Sequence, residues 1–361
     1  MSSPSSPPEL DQIIALVGAV DHGASAASRD RQLRLTKPAG SLGRLEEVGA
    51  QLAAIAACPI PPLPEPAAVA VFAGDHGVHT EGVSPWPQEV TAQMVANICS
   101  GGAAINVIGR ANDITVLAVN VGVATPVEDH PDLHNQPIAR GTQNLLTGPA
   151  MTVDEAIRAI LLGADVATGL IDDGYRCLLT GDMGIANTTP ATSLIAAFCG
   201  QSPGLITGRG TGIDDETLAL KTDIINRALD RLAQRLGSRT VSPVEILAEV
   251  GGLEIAALCG FCLVGAARRV PVIVDGVIAL AGAVVAAELQ PLVVGYLIGG
   301  HRSVEPAASS ALEYLGVEPL VDLDLRLGEG TGAALAYPLV RAAAAVLVQM
   351  ATFDAAGVAE G

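Results

Sequence analysis

The sequence predicts an α/β fold, a doubly wound parallel sheet flanked by helices. Three observations carry that prediction. Five apolar runs of strand length recur along the 361 residues, the stretches between them are long enough for helices, and each run ends in a cluster of glycine and polar residues. A strand that reads as a continuous apolar run, without alternation, is buried on both faces, as a parallel sheet between two helical layers requires. In such sheets ligands bind outside the carboxyl ends of the strands. Every polar cluster falls at one of those ends.

Composition bounds the rest. Half the residues are hydrophobic but only 2% are aromatic, so the core is built from Ala, Val, Leu and Ile, and 40 glycines supply tight turns. The 38 acidic residues outnumber the 20 basic ones, giving −18, which argues against a nucleic-acid or anionic-membrane partner. A phosphorylated ligand stays open, because backbone amides can bind an anion locally. Six scattered cysteines without secretory features point to a reducing cytoplasm. Cys259 and Cys262 form a lone C-x-x-C inside the apolar run Ala256 to Ala267 and read as helix packing. Residues 1–8 are Ser/Pro-rich without a basic start, so a disordered tail is expected there. The most apolar region, 276–300, is broken by Glu288, Gln290 and Pro291 into pieces too short to span a bilayer, and the chain reads as soluble.

Taken in order, the first helix is expected near Leu10 to Val20. Lys37 to Glu46 is a turn entering a helix that runs to about Ala57, with Leu42, Leu45, Val48, Leu52 and Ile55 at helical spacing. Lys37 and Arg44 read as a solvated face. Pro59 to Pro66 is a proline-rich connector between an outer helical part and the core. Ala67 to Ala73 is the first strand and ends in Gly74-Asp75-His76-Gly77-Val78-His79. Helices follow over Pro87 to Ile98 and Ala103 to Arg110. Ile114 to Val119 is a strand ending in Asn120-Val121-Gly122. Thr152 and Glu155 form a capping box for a helix reaching about Leu170. Cys177 to Thr180 is a strand that leads into Gly181-Asp182-Met183-Gly184-Ile185-Ala186-Asn187-Thr188-Thr189. Ser242-Pro243-Val244-Glu245 is a second capping box, with Pro at the first helical position. Val270 to Val274 is a strand ending in Asp275-Gly276, and Leu292 to Ile298 one ending in Gly299-Gly300-His301-Arg302-Ser303. The spacings exceed a minimal βαβ unit and leave the strand order open.

Several clusters could carry chemistry. Asp75, His76 and His79, or His130 with His134, could be read as metal ligands. Zinc wants three or four converging ligands with supporting partners, and both groups are read instead as hydrogen-bonded histidines. In Gly181 to Thr189 the glycines allow close backbone approach, while Asn187, Thr188 and Thr189 supply donors at a helix start, which suits a phosphate. Gly208-Arg209-Gly210-Thr211-Gly212 repeats the idea, with Lys221 downstream as a possible phosphate cation. Gly328-Glu329-Gly330-Thr331-Gly332 puts one carboxylate among three glycines, either as a solvated first-turn residue favoured by the helix dipole or as a functional acid. None of these loops matches G-x-G-x-x-G or the P-loop pattern. After the first strand there is no G-x-G-x-x-G and no acidic residue about 20 residues on, which argues against an NAD-dependent oxidoreductase. A non-catalytic nucleotide or benzimidazole sensor remains a second alternative.

Together the motifs resemble the nicotinate-nucleotide–dimethylbenzimidazole phosphoribosyltransferase family, whose enzymes activate the lower ligand of cobalamin. The resemblance is carried by Lys37 to Leu45 (KPAGSLGRL), Gly74 to Gly77 (GDHG), Pro87 to Thr91 (PQEVT) and Gly101 to Asn106 (GGAAIN). It continues through Gly181 to Thr189 (GDMGIANTT), Gly208 to Gly212 (GRGTG), Gly251 to Ala257 (GGLEIAA) and Arg326 to Gly332 (RLGEGTG), and covers about residues 37–355. It implies a Rossmann-like catalytic domain over residues 59–335, a small helical domain built from 9–58 and 336–361, and a homodimer. The implied reaction moves the 5-phosphoribosyl group from nicotinate mononucleotide to 5,6-dimethylbenzimidazole, with inversion at C1, and the preferred acceptor base stays open. Glu329 would be the general base, and Asp182 a second acid where relatives commonly carry Glu. Ala186 stands where many relatives have Gly, and Asn120 where many have Asp. Gly184, Asn187, Thr188, Gly210, Lys221, Gly300 and Gly328 would bind the nucleotide and its phosphate. Ser84, Gln93, Met183 and Leu327 would line the base pocket. No metal and no redox cofactor is implied.

Overall fold

The structure is a computed structural model, and it describes residues 8–237 and 241–359. The expected tail over 1–8 therefore lies, but for Pro8, outside the described residues. Seven strands form one all-parallel sheet: β1 (Ala67–Gly74), β2 (Ile114–Gly122), β3 (Leu133–Asn135), β4 (Cys177–Met183), β5 (Val272–Val274), β6 (Leu297–His301) and β7 (Pro319–Val321). Their order is β3-β2-β1-β4-β5-β6-β7. The chain works outward in one direction from β1 and then in the other from β4. The crevice at the carboxyl ends of β1 and β4 is therefore the topological switch point, where doubly wound sheets bind ligands.

Every residue of β1 is buried. Ala68, Ala70 and Phe72 face one helical layer, and Ala67, Val69, Val71 and Ala73 face the other. This period of two, with apolar residues on both faces, is why the strand reads as an unbroken apolar run. The first layer includes helices Val153–Asp172, Leu253–Ala267 and Val277–Leu289; the second includes Arg44–Ala56, Ala104–Ala111 and Thr331–Gln349. A core with few aromatics must pack closely to gain dispersion energy. Helices Val153–Asp172 and Leu253–Ala267 do so backbone to backbone. A Cβ on Gly163 would overlap the Ala257 carbonyl, and one on Gly260 would overlap the Ile160 carbonyl.

The two extra strands, β3 and β7, are three residues each and sit at the sheet's two edges. Both are too short to give an apolar run, and β3 (Leu-His-Asn) is polar as well. The strand expected at Leu292 to Ile298 begins only at Leu297; Pro291–Tyr296 is a 3-10 turn instead. Val293 and Tyr296, three residues apart, are its buried members, a helical spacing hidden inside a β-rich composition. Likewise β5 starts two residues later than expected, at Val272. The helix expected from Leu10 to Val20 spans Pro8–Leu16, and a second, unanticipated helix follows at His22–Arg34. Asp21 caps the second, its Oδ1 accepting from Ala24 N at 2.8 Å. Both capping boxes are present, at Thr152 with Glu155 and at Ser242 with Glu245.

Lys37 corrects the expectation of a solvated face. It is buried, and its Nζ donates to Glu46 Oε1 at 2.7 Å. Arg44 is half-exposed but donates to the carbonyls of Pro319 and Glu318, tying the helix to the edge strand. Helix Thr331–Gln349 is long and apolar enough to cross a membrane by length and composition. In the fold it buries Ala333, Ala336, Tyr337, Val340 and Ala344 against the sheet and helix Arg44–Ala56. It runs unbroken through the domain boundary expected at 335/336.

Candidate active site

Four chain segments bring acids and a histidine to the carboxyl edge of the sheet. Asp182 is the penultimate residue of β4, Asp275 follows β5, His301 ends β6, and Glu329 lies in the turn that opens helix Thr331–Gln349. In that turn Gly328, Glu329 and Gly330 are all left-handed, at φ +82°, +61° and +87°. Glu329 is the one of the three with a Cβ, so the conformation costs it energy that the surroundings must offset. They do so with hydrogen bonds. Glu329 N donates to the Asp182 carbonyl at 3.1 Å. Gly330 N and Ala333 N donate to the two oxygens of Asp275 at 3.1 and 3.0 Å. Helix Thr331–Gln349 has no side-chain cap of its own, so Asp275 caps it from a neighbouring strand. Asp275 is held in turn by its own N–H, which donates to Thr180 Oγ1 at 2.9 Å, and His301 Nε2 lies 3.6 Å from its Oδ1.

The carboxylates share one poorly hydrated place, and their protonation reflects it. Burial raises the pKa of Glu329; the Ile105 N–H, 3.3 Å from Oε2, opposes this, and the Asp275 charge adds to it. Burial also pushes Asp182 well above the carboxylate range, with Asp275, Glu254 and Glu329 reinforcing the shift and the Asn187 amide, 2.9 Å from Oδ2, opposing it. Asp182 Oδ1 is buried without a hydrogen-bond partner among the described residues. Asp275 is raised by burial as well, although His301 and three backbone amides work against that. Clusters of acids pushed toward neutrality mark functional sites more often than structural ones.

The opposite wall carries a cation. Lys221 is 1% exposed inside helix Asp215–Leu236 and donates to Thr188 Oγ1 at 2.8 Å and to the Gly208 carbonyl at 3.0 Å. Burial lowers its pKa to about 8, with Glu305 pulling the other way. A small cavity of about 60 Å³ touches the acid cluster at Asp182 and the lysine's partner at Thr188, and is lined by Asn187, Gly210, Leu327 and Gly328 among others. Beside it lies an open cleft of about 520 Å³ that shares Gly210, Glu305 and Arg326.

The structure thus brings Asp182, Asn187, Thr188, Gly210, Leu327 and Gly328 around one cavity, with Lys221 bonded to its wall and Glu329 in its turn. The other predicted residues stand apart. Gly184 and Gly300 are packing positions: a Cβ on the first would overlap the Gly74 carbonyl, and one on the second would come within 2.7 Å of the Val274 carbonyl. Met183 ends β4 and packs against the core of the second layer. Ser84 is half-buried and accepts from Trp86 N at 3.3 Å. Gln93 lines a separate hollow of about 380 Å³ with Cys99 and His130.

Besides Asp275 and His301, the His76–Glu254 pair and Glu305 are buried groups not assigned to the site from the sequence. His76 Nε2 lies 2.9 Å from Glu254 Oε1, and both side chains are enclosed. Burial opposes a charged imidazole there, yet Glu254 and Asp75 outweigh it and raise the His76 pKa. Glu254 is the only charge in Leu253–Ala267, a signal that an otherwise apolar helix carries a buried acid. Glu305, 4% exposed, accepts from Gly210 N at 2.7 Å. Its position before Pro306 reads as an ordinary helix start, so nothing local distinguishes it.

The family model described as phosphoribosyltransferase matches residues 17–358. A nicotinate-nucleotide–dimethylbenzimidazole phosphoribosyltransferase of Salinispora tropica is 52% identical, over 97% of this chain and 99% of its own. Its namesake in Chloroflexus aggregans is 49% identical, over 97% and 98%. The crystal structure of CobT from Thermus thermophilus superposes with a TM-score of 0.90 at 47% identity, over 94% of this chain and all of that one. The all-parallel sheet, the acid cluster at its switch point and likeness over nearly the whole length agree, and the chain belongs to the nicotinate-nucleotide–dimethylbenzimidazole phosphoribosyltransferase family.

Proposed function

We propose that the chain transfers the 5-phosphoribosyl group of nicotinate mononucleotide to 5,6-dimethylbenzimidazole, a step of cobalamin lower-ligand activation, with Glu329 as general base. The benzimidazole nitrogen attacks C1 from the face opposite the departing nicotinate. The C1–nicotinate bond breaks with its electron pair going to the pyridine nitrogen, and the product is α-ribazole 5′-phosphate. The attacking base becomes cationic as the bond forms, and its N–H proton passes to Glu329. The observation that carries this reading is Glu329 itself: a carboxylate 4% exposed, in a left-handed turn fixed by Asp182 and Asp275, with a raised pKa. A raised pKa makes a carboxylate a stronger base near neutrality. The rest of the catalysis is positioning of two rings across one sugar.

In this scheme Thr188, Asn187, Gly210 and Lys221 hold the phosphate, with Gly184, Gly300 and Gly328 keeping the backbone close. Asp182, which burial pushes toward its neutral form, adds a second acid on the ribosyl side of the cavity. Leu327 at the cavity mouth belongs to the acceptor pocket, and the family resemblance adds Ser84, Gln93 and Met183 to it. The enzyme is expected to work as a cytoplasmic homodimer, and light scattering of the purified protein checks the oligomeric state. Mass spectrometry of the products from nicotinate mononucleotide with benzimidazole, adenine and phenolic acceptors tests the reaction and ranks the bases. Binding of nicotinate mononucleotide without release of nicotinate under any acceptor would make the protein a sensor and end this reading.

A further inference from the structure

The loop 208–212, readable in sequence as an anion cradle, already holds an anion, and it is the protein's own. Gly210 N donates to Glu305 Oε1 at 2.7 Å, and a Cβ on Gly208 would overlap the same carboxylate. The loop is therefore folded around Glu305, which reaches it from the start of helix Pro306–Leu315. The second oxygen, Oε2, is buried and has no hydrogen-bond partner among the described residues, and the carboxylate makes no ion pair among them. Lys221, the buried cation whose charge Glu305 supports, gives its hydrogen bonds to Thr188 and the Gly208 carbonyl instead. Arg326, at the cavity mouth, donates to the Gly210 carbonyl. Enclosing an unpaired carboxylate is costly, and neither the fold nor the transfer step described above requires one here.

We propose that Glu305 sets the affinity for the substrate's phosphate: its carboxylate competes for the Gly210 amide, and its charge opposes a phosphate drawn to Lys221. The inference rests on the phosphoribosyl reading of the cavity. One N–H cannot serve a carboxylate and a phosphate at full strength, and two anions beside one lysine in a dry cavity repel strongly. Weakened phosphate binding suits an enzyme that takes in one phosphorylated molecule and must release another. Tight binding of both substrate and product would lower the Michaelis constant without speeding turnover.

Calorimetry with ribose 5-phosphate tests this without relying on catalysis. Glu305→Gln keeps the shape and an acceptor for Gly210 N but removes the charge. At pH 6.5 Lys221, with its pKa of about 8, is still protonated, so the comparison isolates Glu305. The variant should bind ribose 5-phosphate about tenfold tighter or more, as expected for removing one like charge at close range. Inorganic phosphate should follow in the same direction, and free ribose should bind no differently. Glu305→Ala, which also frees the Gly210 amide, gives the same sign by a second route if the Gln protein does not fold. Unchanged or weaker binding of ribose 5-phosphate in these variants, with the parent protein binding it, overturns the role of Glu305 alone. If neither the parent protein nor the Glu305 variants bind ribose 5-phosphate, the phosphoribosyl reading fails together with this one.

Discussion

The acid cluster on one side of the cavity and the buried lysine behind Thr188 are charged in opposite senses and shaped by the same force. On one wall Asp182, Asp275 and Glu329 are pushed up toward their neutral forms; on the other Lys221 is pulled down toward its neutral form. Desolvation is the leading cause in every case. The walls differ in what compensates it. Glu329 is stabilised by the Ile105 amide, Asp275 by His301 and the Gly330 and Ala333 amides, and Asp182 by the Asn187 side-chain amide, while the lysine has a hydroxyl and a carbonyl. The acid wall is thus part of the fold, fixed by groups from separate elements. The lysine reaches the cation wall from a single helix.

That contrast can be broken at either wall. The largest effect is expected from Glu329→Gln, which preserves the turn but cannot take a proton. Turnover should fall by about 10²- to 10⁴-fold, or about 3–5 kcal/mol of barrier, while both substrates still bind. The acidic limb of the pH–rate profile should vanish with it, because Glu329 works as a base only above its raised pKa. Near-normal turnover in a steady-state assay would remove the general-base role.

Asp275→Ala attacks the main-chain support of the same wall. It leaves the Gly330 and Ala333 amides buried without an acceptor, and each such orphan costs about 1–3 kcal/mol. A loss of about 2–4 kcal/mol in chemical denaturation is expected, partly offset by removal of a carboxylate that burial disfavours. A silent Asp275→Ala would show that the helix Thr331–Gln349 needs no cap.

At the cation wall, Lys221→Met should raise the Michaelis constant for nicotinate mononucleotide about ten- to a hundredfold, the worth of one charged hydrogen bond. Binding of free benzimidazole should be unaffected. An unchanged Michaelis constant would make Lys221 a structural lysine.

The smallest effect is a pair of slopes that sharpens the comparison. Lys221 has a folded pKa of about 8 against an ordinary 10.5, so folding is opposed below about pH 8, where the group is charged in both states, and relieved as pH rises toward 10.5. The stability of Lys221→Met relative to the parent should therefore decline between pH 8 and 10.5. Asp182 is raised above an ordinary 3.8, so its parent contribution is intact below that value and is lost as pH rises through the folded pKa. The stability of Asp182→Asn relative to the parent should grow with pH from about 4 upward. Melting curves of the two variants across pH that slope the same way would mean burial is not what shapes both walls.

Much of this was legible in the chain. Ala67 to Ala73 reads as a doubly buried strand because both faces of β1 are covered, and the capping boxes at Thr152 and Ser242 are local hydrogen-bond patterns that any context preserves. What was not legible lay in elements whose partners are distant. Pro291–Tyr296 has strand-like composition but helical burial. Lys37 looks like a surface residue until Glu46 folds over it. At Gly184 and Gly300 the sequence does not show that the missing Cβ atoms also make room for neighbouring backbone.

The sequence by itself determined the layered α/β architecture, the position of the polar clusters at strand ends, and the identity of Glu329, Asp182 and Lys221 as the charged residues of glycine-rich turns and their neighbourhood. Those follow from periodicity, glycine placement and charge, which are local properties of the chain. Only the tertiary structure decided that Asp275 caps the turn carrying Glu329, that Glu254 faces His76, and that Glu305 fills the 208–212 loop. Each of those pairs joins segments far apart in sequence, and burial by the rest of the fold sets both their contact and their charge. A residue's pKa and hydrogen-bond partner depend on which water molecules the surrounding chain has displaced, and one stretch of sequence carries no record of that.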